Sequence, residues 1–80
     1  SDFSVFPNPT SGIIQISSFS DYGLSTIKII DGVGRIVHSS TESTLQNGVQ
    51  FYLGDLDNGY YSIVIENNNG RVIKKLQLVK

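Results

Sequence analysis

The chain has 80 residues, 39% of them hydrophobic, and six basic against seven acidic residues give a net charge of −1. This length fits one domain, and near-neutrality argues against a nucleic-acid-binding protein. The absence of Cys excludes disulfide scaffolds, thiolate zinc sites and thiol catalysis, and a single His excludes a multi-histidine metal centre.

Seven short β-strands are predicted, because apolar and polar residues alternate with period two and turn residues interrupt the alternation. Abundant Ile and Val, with no Ala, also favour strands over helices. The predicted strands are Phe3 to Phe6, Ile13 to Ser17, Ser25 to Ile30, Arg35 to Ser40, Val49 to Leu53, Tyr60 to Glu66 and Arg71 to Val79. Their spacing of about 8–12 residues is typical of a two-sheet sandwich.

Turn residues separate these strands. Pro7-Asn8-Pro9 ends the first strand, because two prolines remove two backbone donors and fix two φ angles. Asp31-Gly32-Val33-Gly34 predicts a tight reversal, and Asn67 to Gly70 predicts a hairpin, in which the Asn-Gly pair would accommodate positive φ at both positions. Polar residues from Ser39 to Asn47 are predicted to form the longest irregular stretch, with Leu45 as its anchor.

The apolar runs are too short to cross a membrane or to form the core of a signal peptide, since none exceeds about three residues. No membrane insertion is therefore expected.

Two loops resemble known ligand-binding sequences only superficially. Asp55 to Gly59 alternates acidic residues as a calcium loop does, but its Gly falls at the fifth position and the required Glu is missing. Gly32-Val33-Gly34 precedes a predicted strand, whereas a phosphate-binding loop precedes a helix. We therefore interpret both as turns and predict no metal or other cofactor.

Two groups of side chains are candidates for functional sites. His38 could act as a base, but a base needs a nucleophile and an orienting group nearby in space. With eleven serines in the chain, a serine near His38 would prove little, and an exposed strand position is expected. The tyrosines Tyr22, Tyr52, Tyr60 and Tyr61, with Phe51, could form a platform for sugar rings. A small domain must bury its aromatic residues, however, and the platform requires Tyr52 and Tyr60 side by side on one face.

Charge is distributed unevenly along the chain. Residues 1–70 hold two basic and seven acidic residues, a charge of −5, whereas the last ten hold four basic residues and no acid, a charge of +4. A basic terminal strand could bind an acidic partner or an anionic surface. Equally, its lysines could discourage edge-to-edge aggregation.

Four ordered motifs resemble the type A C-terminal sorting domain of the type IX (Por) secretion system of Bacteroidetes. The motifs read Phe6-Pro7-Asn8-Pro9-Thr10-Ser11-Gly12; Ile27 to Asp31, followed by Gly34-Arg35; Leu56-Asp57-Asn58-Gly59-Tyr60-Tyr61; and Gly70 to Lys80, a lysine-containing apolar strand. They occur in the family's order and cover almost the whole chain, 1–80, which is read as one domain.

The resemblance implies an all-β, seven-stranded, immunoglobulin-like antiparallel sandwich at the C-terminus of a larger secreted protein. Such a domain is not an enzyme. It directs its cargo from the periplasm across the outer membrane to the cell surface or the medium, after which a sortase-like peptidase usually removes it. The expected partners are the type IX translocon and that peptidase, and the domain itself is expected to be a monomer or weak dimer.

Within that interpretation, we assign two roles. The residues expected mainly to secure the fold are Pro7, Asn8, Pro9, Gly12, Asp31, Gly34, Leu56, Gly59 and Tyr61, and the candidates for recognition are Lys74, Lys75 and Lys80. The alternatives are a carbohydrate-binding or adhesive module of a secreted hydrolase, and an inert spacer domain.

Overall fold

A computed structural model describes residues 2–80, and this part of the chain is all-β, without a helix. The seven predicted strands are confirmed in the predicted order. They are β1 Phe3–Phe6, β2 Ile13–Ser18, β3 Ser25–Ile30, β4 Ile36–Glu42, β5 Val49–Tyr52, β6 Gly59–Asn67 and β7 Gly70–Leu78.

The strands form two antiparallel sheets, which confirms the two-sheet prediction. One sheet has the order β1-β2-β5 and the other has the order β4-β3-β6-β7. The strands β1, β5, β4 and β7 therefore lie at sheet edges. The two sheets approach each other at both edges. At one edge the loop that follows β1 runs along β7, and at the other His38 of β4 contacts Phe51 of β5.

The core lies between the sheets and is built from alternate residues of the inner strands. Ile14 and Ile16 of β2 face the four-stranded sheet, which contributes, besides Tyr61, two aliphatic core residues from each of three strands. Those residues are Ile27, Ile29, Ile63, Ile65, Leu76 and Leu78. Burying each such side chain contributes about 1.5–3 kcal/mol, so these positions dominate the stability of a small domain.

The end of β4 differs from the prediction. Polar residues Thr41 and Glu42 continue the strand beyond Ser40, because they pair with Thr26 and Ser25 of β3. Backbone pairing with a neighbouring strand thus extends β4 into a segment that lacks apolar side chains. The irregular connection is shorter than predicted. Leu45 anchors it, because its side chain is buried in the core and only 2% exposed.

The β6–β7 hairpin forms as predicted, but by a different turn. Asn67 pairs with Gly70 across the ladder, and the two central residues are Asn68 and Asn69. No non-glycine residue among 2–80 has positive φ, so the prediction of positive φ at both positions of the Asn-Gly pair was wrong. Instead, the Asn67 side chain accepts a hydrogen bond from the Asn69 N–H at 2.8 Å, and Gly70 alone takes φ +129°.

Candidate recognition surface on the last strand

The Pro-Asn-Pro loop after β1 lies against the edge of β7. The Asn8 side-chain amide donates to the Lys75 carbonyl at 2.9 Å and accepts from the Gln77 N–H at 3.1 Å. One side chain thereby completes the hydrogen bonds that a neighbouring strand would otherwise make. Both proline peptide bonds of the loop, at Pro7 and Pro9, are cis.

Thr10 continues this contact with its backbone. Its N–H donates to the Gln77 carbonyl at 2.9 Å and its carbonyl accepts from the Val79 N–H at 2.8 Å, an isolated parallel bridge to β7. Its buried hydroxyl donates to the Ile13 carbonyl and accepts from the Gly12 N–H. The first motif therefore joins the start of the chain to its last strand.

The second motif closes the turn between β3 and β4. Asp31 Oδ1 accepts from the N–H groups of Val33 and Arg35, and Oδ2 accepts from Arg35 Nε at 2.9 Å. These donors, the Arg35 N–H foremost, lower the pKa of Asp31 below its ordinary value of 3.8. Gly34 has φ +93°, which favours glycine, and its N–H donates to the Asp31 carbonyl.

The third motif connects the sheets. Leu56 is half-buried against the core, and the Tyr61 hydroxyl donates to the Asp57 carbonyl at 2.6 Å. Burial raises the pKa of Tyr61 above its ordinary value of 10.0. Gly59 opens β6 opposite Leu78, so this connection also ends against the last strand.

The three lysines predicted for recognition do not form one patch. Lys74 pairs with the buried Ile63, so its half-buried side chain lies on the core side of β7. Lys75 pairs with Ser62 and is exposed on the outer face. Lys80 is held elsewhere, since its N–H donates to Asn58 Oδ1 at 3.0 Å and its Nζ donates to the Gly54 carbonyl at 3.2 Å.

Arg71 is a further candidate for recognition, which the sequence-based assignment of Lys74, Lys75 and Lys80 did not include. It is exposed at the start of β7 and lines a cleft of about 540 Å³. The cleft lies between the β6–β7 hairpin on one side and Phe3 and Tyr22 on the other, whose rings stack with centroids 5.3 Å apart. Charge alone identified Arg71 in the basic tail, but only the fold shows that it borders a cavity.

Comparison with protein families matches residues 4–79 to the model of a secretion system C-terminal sorting domain. The chain belongs to this family. It is thus a sorting signal for type IX secretion, and the family directs export across the outer membrane to the cell surface or extracellular space. The comparison with curated proteins gave no match.

The four motifs of the sorting domain lie within the matched residues, except for Lys80 at the end of the fourth. The family is not an enzyme family, and its function implies contact with the secretion machinery. Within residues 2–80 there is no helix long and apolar enough to span a membrane, and no group of three His, Asp or Glu side chains that could hold a metal ion.

The expectation that His38 is exposed was wrong, and the arrangement of tyrosines that a sugar-binding platform requires is not present in residues 2–80. His38 is half-buried rather than exposed, because its strand position faces the other sheet and its ring meets Phe51 edge-on at 6.3 Å. Tyr52 and Tyr60 are each 65% exposed but belong to different sheets, so they do not lie side by side on one sheet face.

Proposed function

We propose that residues 1–80 act as one folded C-terminal address on a larger cargo protein, in an immunoglobulin-like sandwich of type A from a member of the Bacteroidetes. The type IX translocon reads the domain in the periplasm, and a sortase-like peptidase removes it after export. The domain is a monomer or at most a weak dimer during transit.

The observation that carries this proposal is the connection between the first motif and the last strand. Asn8 and Thr10 bind β7 at residues 75, 77 and 79, almost the full length of the chain away. The chain crosses there from the three-stranded sheet to the edge of the other sheet, which supports the immunoglobulin-like assignment. A component of the secretion machinery that binds β7 therefore binds a strand that is ordered only when the whole domain is folded.

We also propose that Lys74, Lys75 and Lys80 contribute to recognition, in different ways. Lys75 offers an exposed charge on the outer face, and Lys74 offers one at the seam between the sheets. Lys80 holds the end of the chain against the β5–β6 connection. The residues Pro7, Asn8, Pro9, Gly12, Asp31, Gly34, Leu56, Gly59 and Tyr61 mainly secure the fold.

The test is export of a periplasmic reporter that carries this chain at its C-terminus, in a bacterium with an active type IX system. We expect the reporter in the medium or on the cell surface, and retention when the translocon is inactivated or the chain is removed. A folded fusion that stays in the periplasm of the active host would overturn the sorting role. An exported reporter that keeps the chain intact would overturn only the cleavage step.

A further inference from the structure

The edge of β7 is covered over only half of its length. Backbone groups of an antiparallel strand point alternately toward the neighbouring strand and away from it. The Lys75 carbonyl, both polar groups of Gln77 and the Val79 N–H point away from β6 and bind the loop that contains Asn8 and Thr10. By the same alternation, the N–H and carbonyl groups of Arg71 and Ile73 and the N–H of Lys75 also point away, but within residues 2–80 no strand or loop binds them.

This uncovered stretch of β7, residues 71–75, is strongly basic. Arg71, Lys74 and Lys75 carry three positive charges, and the ion pairs among residues 2–80 do not include them. Glu66 is opposite Arg71 in the ladder, but its carboxylate pairs with Lys28 at 3.3 Å. The basic side chains are therefore available to an external acid.

A cleft is present beside the first residues of this stretch. The cleft of about 540 Å³ lies along Gly70, Arg71 and Val72, with Phe3 and Tyr22 opposite. On the outer face, Ile73 is 57% exposed between Arg71 and Lys75. Asp2 also lines the cleft, and its carboxylate accepts a hydrogen bond from the Tyr22 hydroxyl.

We propose that the uncovered edge of β7 binds an extended acidic segment of a partner protein, which adds to the sheet as a strand. Backbone hydrogen bonds supply affinity, and the basic side chains select for charge. The matching segment has acidic residues opposite Arg71, Lys74 and Lys75 and apolar residues opposite Val72 and Ile73. A second copy of β7 is disfavoured, because it would place three positive charges against three.

Assigning the partner to the secretion machinery rests on the proposed sorting function, whereas the binding mode rests on the geometry alone. Amide hydrogen exchange of the 80-residue chain, followed by NMR, tests the binding mode directly. The probe is a nine-residue peptide whose central residues are glutamate, glutamate, valine, valine and glutamate, flanked by threonines. At ten times its Kd, we expect exchange of the Arg71, Ile73 and Lys75 amides to slow by about tenfold.

Two kinds of variant separate the backbone contribution from the charge contribution. Ile73→Pro removes an N–H that does not bond to β6, so the domain should fold but lose peptide binding, and Ile73→Val should keep it. Arg71→Gln and Lys75→Gln should each weaken binding about two- to fivefold. Glu42→Gln, which removes a charge on β4 at the opposite edge of the same sheet, should leave binding unchanged. The charge variants decide the matter if Ile73→Pro fails to fold.

Several results would overturn the inference. These are equal binding of a peptide with glutamine in place of glutamate, protection at the β4 edge instead of β7, protection that rises with protein concentration and without peptide, or binding only to vesicles of anionic lipid. Normal export of an Ile73→Pro reporter would remove this edge from the sorting mechanism while leaving the sorting role intact. Loss of export for every reporter, including wild type, would instead remove the sorting role.

Discussion

Asn8 connects the loop after β1 to the last strand by two side-chain hydrogen bonds. Its amide fills one donor and one acceptor position on β7, between Lys75 and Gln77. A typical intramolecular hydrogen bond contributes about 0.5–1.5 kcal/mol, and both bonds here are solvent-exposed. The Asn8 amide therefore stabilises the fold and also covers the β7 edge at the point where the uncovered stretch, residues 71–75, ends.

Asn8→Ala removes both bonds and exposes more of the β7 edge. We expect the free energy of unfolding in urea to fall by about 1–2 kcal/mol. Asn68→Ala, in an exposed turn position, is the matched control and should change stability by less than about 0.5 kcal/mol. Equal stability of the two variants would show that the Asn8 contacts do not stabilise the folded chain.

Asp31 makes stability depend on pH. Its pKa is lowered in the folded chain, so its charged form stabilises the fold above its ordinary pKa of 3.8, and this contribution is lost as the pH falls through the folded value. Asp31→Asn keeps an acceptor oxygen but has no charge to lose. We expect the wild type to be more stable than Asp31→Asn at pH 7, and the difference to shrink below pH 3.8. Urea titrations at several pH values measure this, and a difference independent of pH would contradict it.

The last strand has both a structural and an exposed part. Leu76 and Leu78 are buried in the core, whereas Ile73 and Lys75 face solvent. Deleting residues 71–80 would therefore remove core as well as charge. Loss of export by such a deletion cannot distinguish an unfolded domain from an unread one, so point variants are the informative experiment.

Leu76→Ala separates these parts of β7. Truncating this buried side chain should cost about 2–5 kcal/mol, because it leaves a cavity as well as removing buried area. Ile73→Ala, on the exposed face of the same strand, should cost less than about 1 kcal/mol. The two midpoints in urea unfolding provide the comparison, and similar losses would mean that Ile73 is covered in solution.

Strands were predictable from the sequence where one face is buried, because the pattern of Ile63 and Ile65 directly reports the core. The polar end of β4 was not, since its order depends on pairing with β3 rather than on its own side chains. The hydrogen bonds of Asn8 to β7 could not be predicted from the sequence either, because its partners lie 67 and 69 residues away. Lys74 alternates with Leu76 and Leu78, so the sequence already indicates that it lies on the core side, whereas its pairing with Ile63 is defined only by the folded sheet.

At the scale of the whole molecule, the near-neutral net charge conceals a charged edge. Two separate effects follow from Arg71, Lys74 and Lys75 lying along one uncovered strand edge. They attract an acidic segment and they repel a second copy of the same edge. The two interpretations of the basic tail, recognition and protection from aggregation, are therefore compatible.

Removing these charges should promote self-association. We expect the wild-type chain to sediment as a monomer in low salt, and Arg71→Gln/Lys74→Gln/Lys75→Gln to form a dimer at the same concentration. Analytical ultracentrifugation over a concentration series measures both. A wild-type dimer as stable as that of the triple variant would show that the cations do not protect this edge.

Export of a reporter fused to Lys74→Gln/Lys75→Gln tests the central claim most directly, namely that the folded domain is read at its last strand. Neither lysine forms an ion pair within residues 2–80, so the melting temperature should change by less than about 4 °C. The account predicts that this reporter stays in the cell like a reporter without the domain, while a Glu42→Gln control, on β4 at the opposite edge of the same sheet, is exported. Export of the double variant at the wild-type level would contradict it.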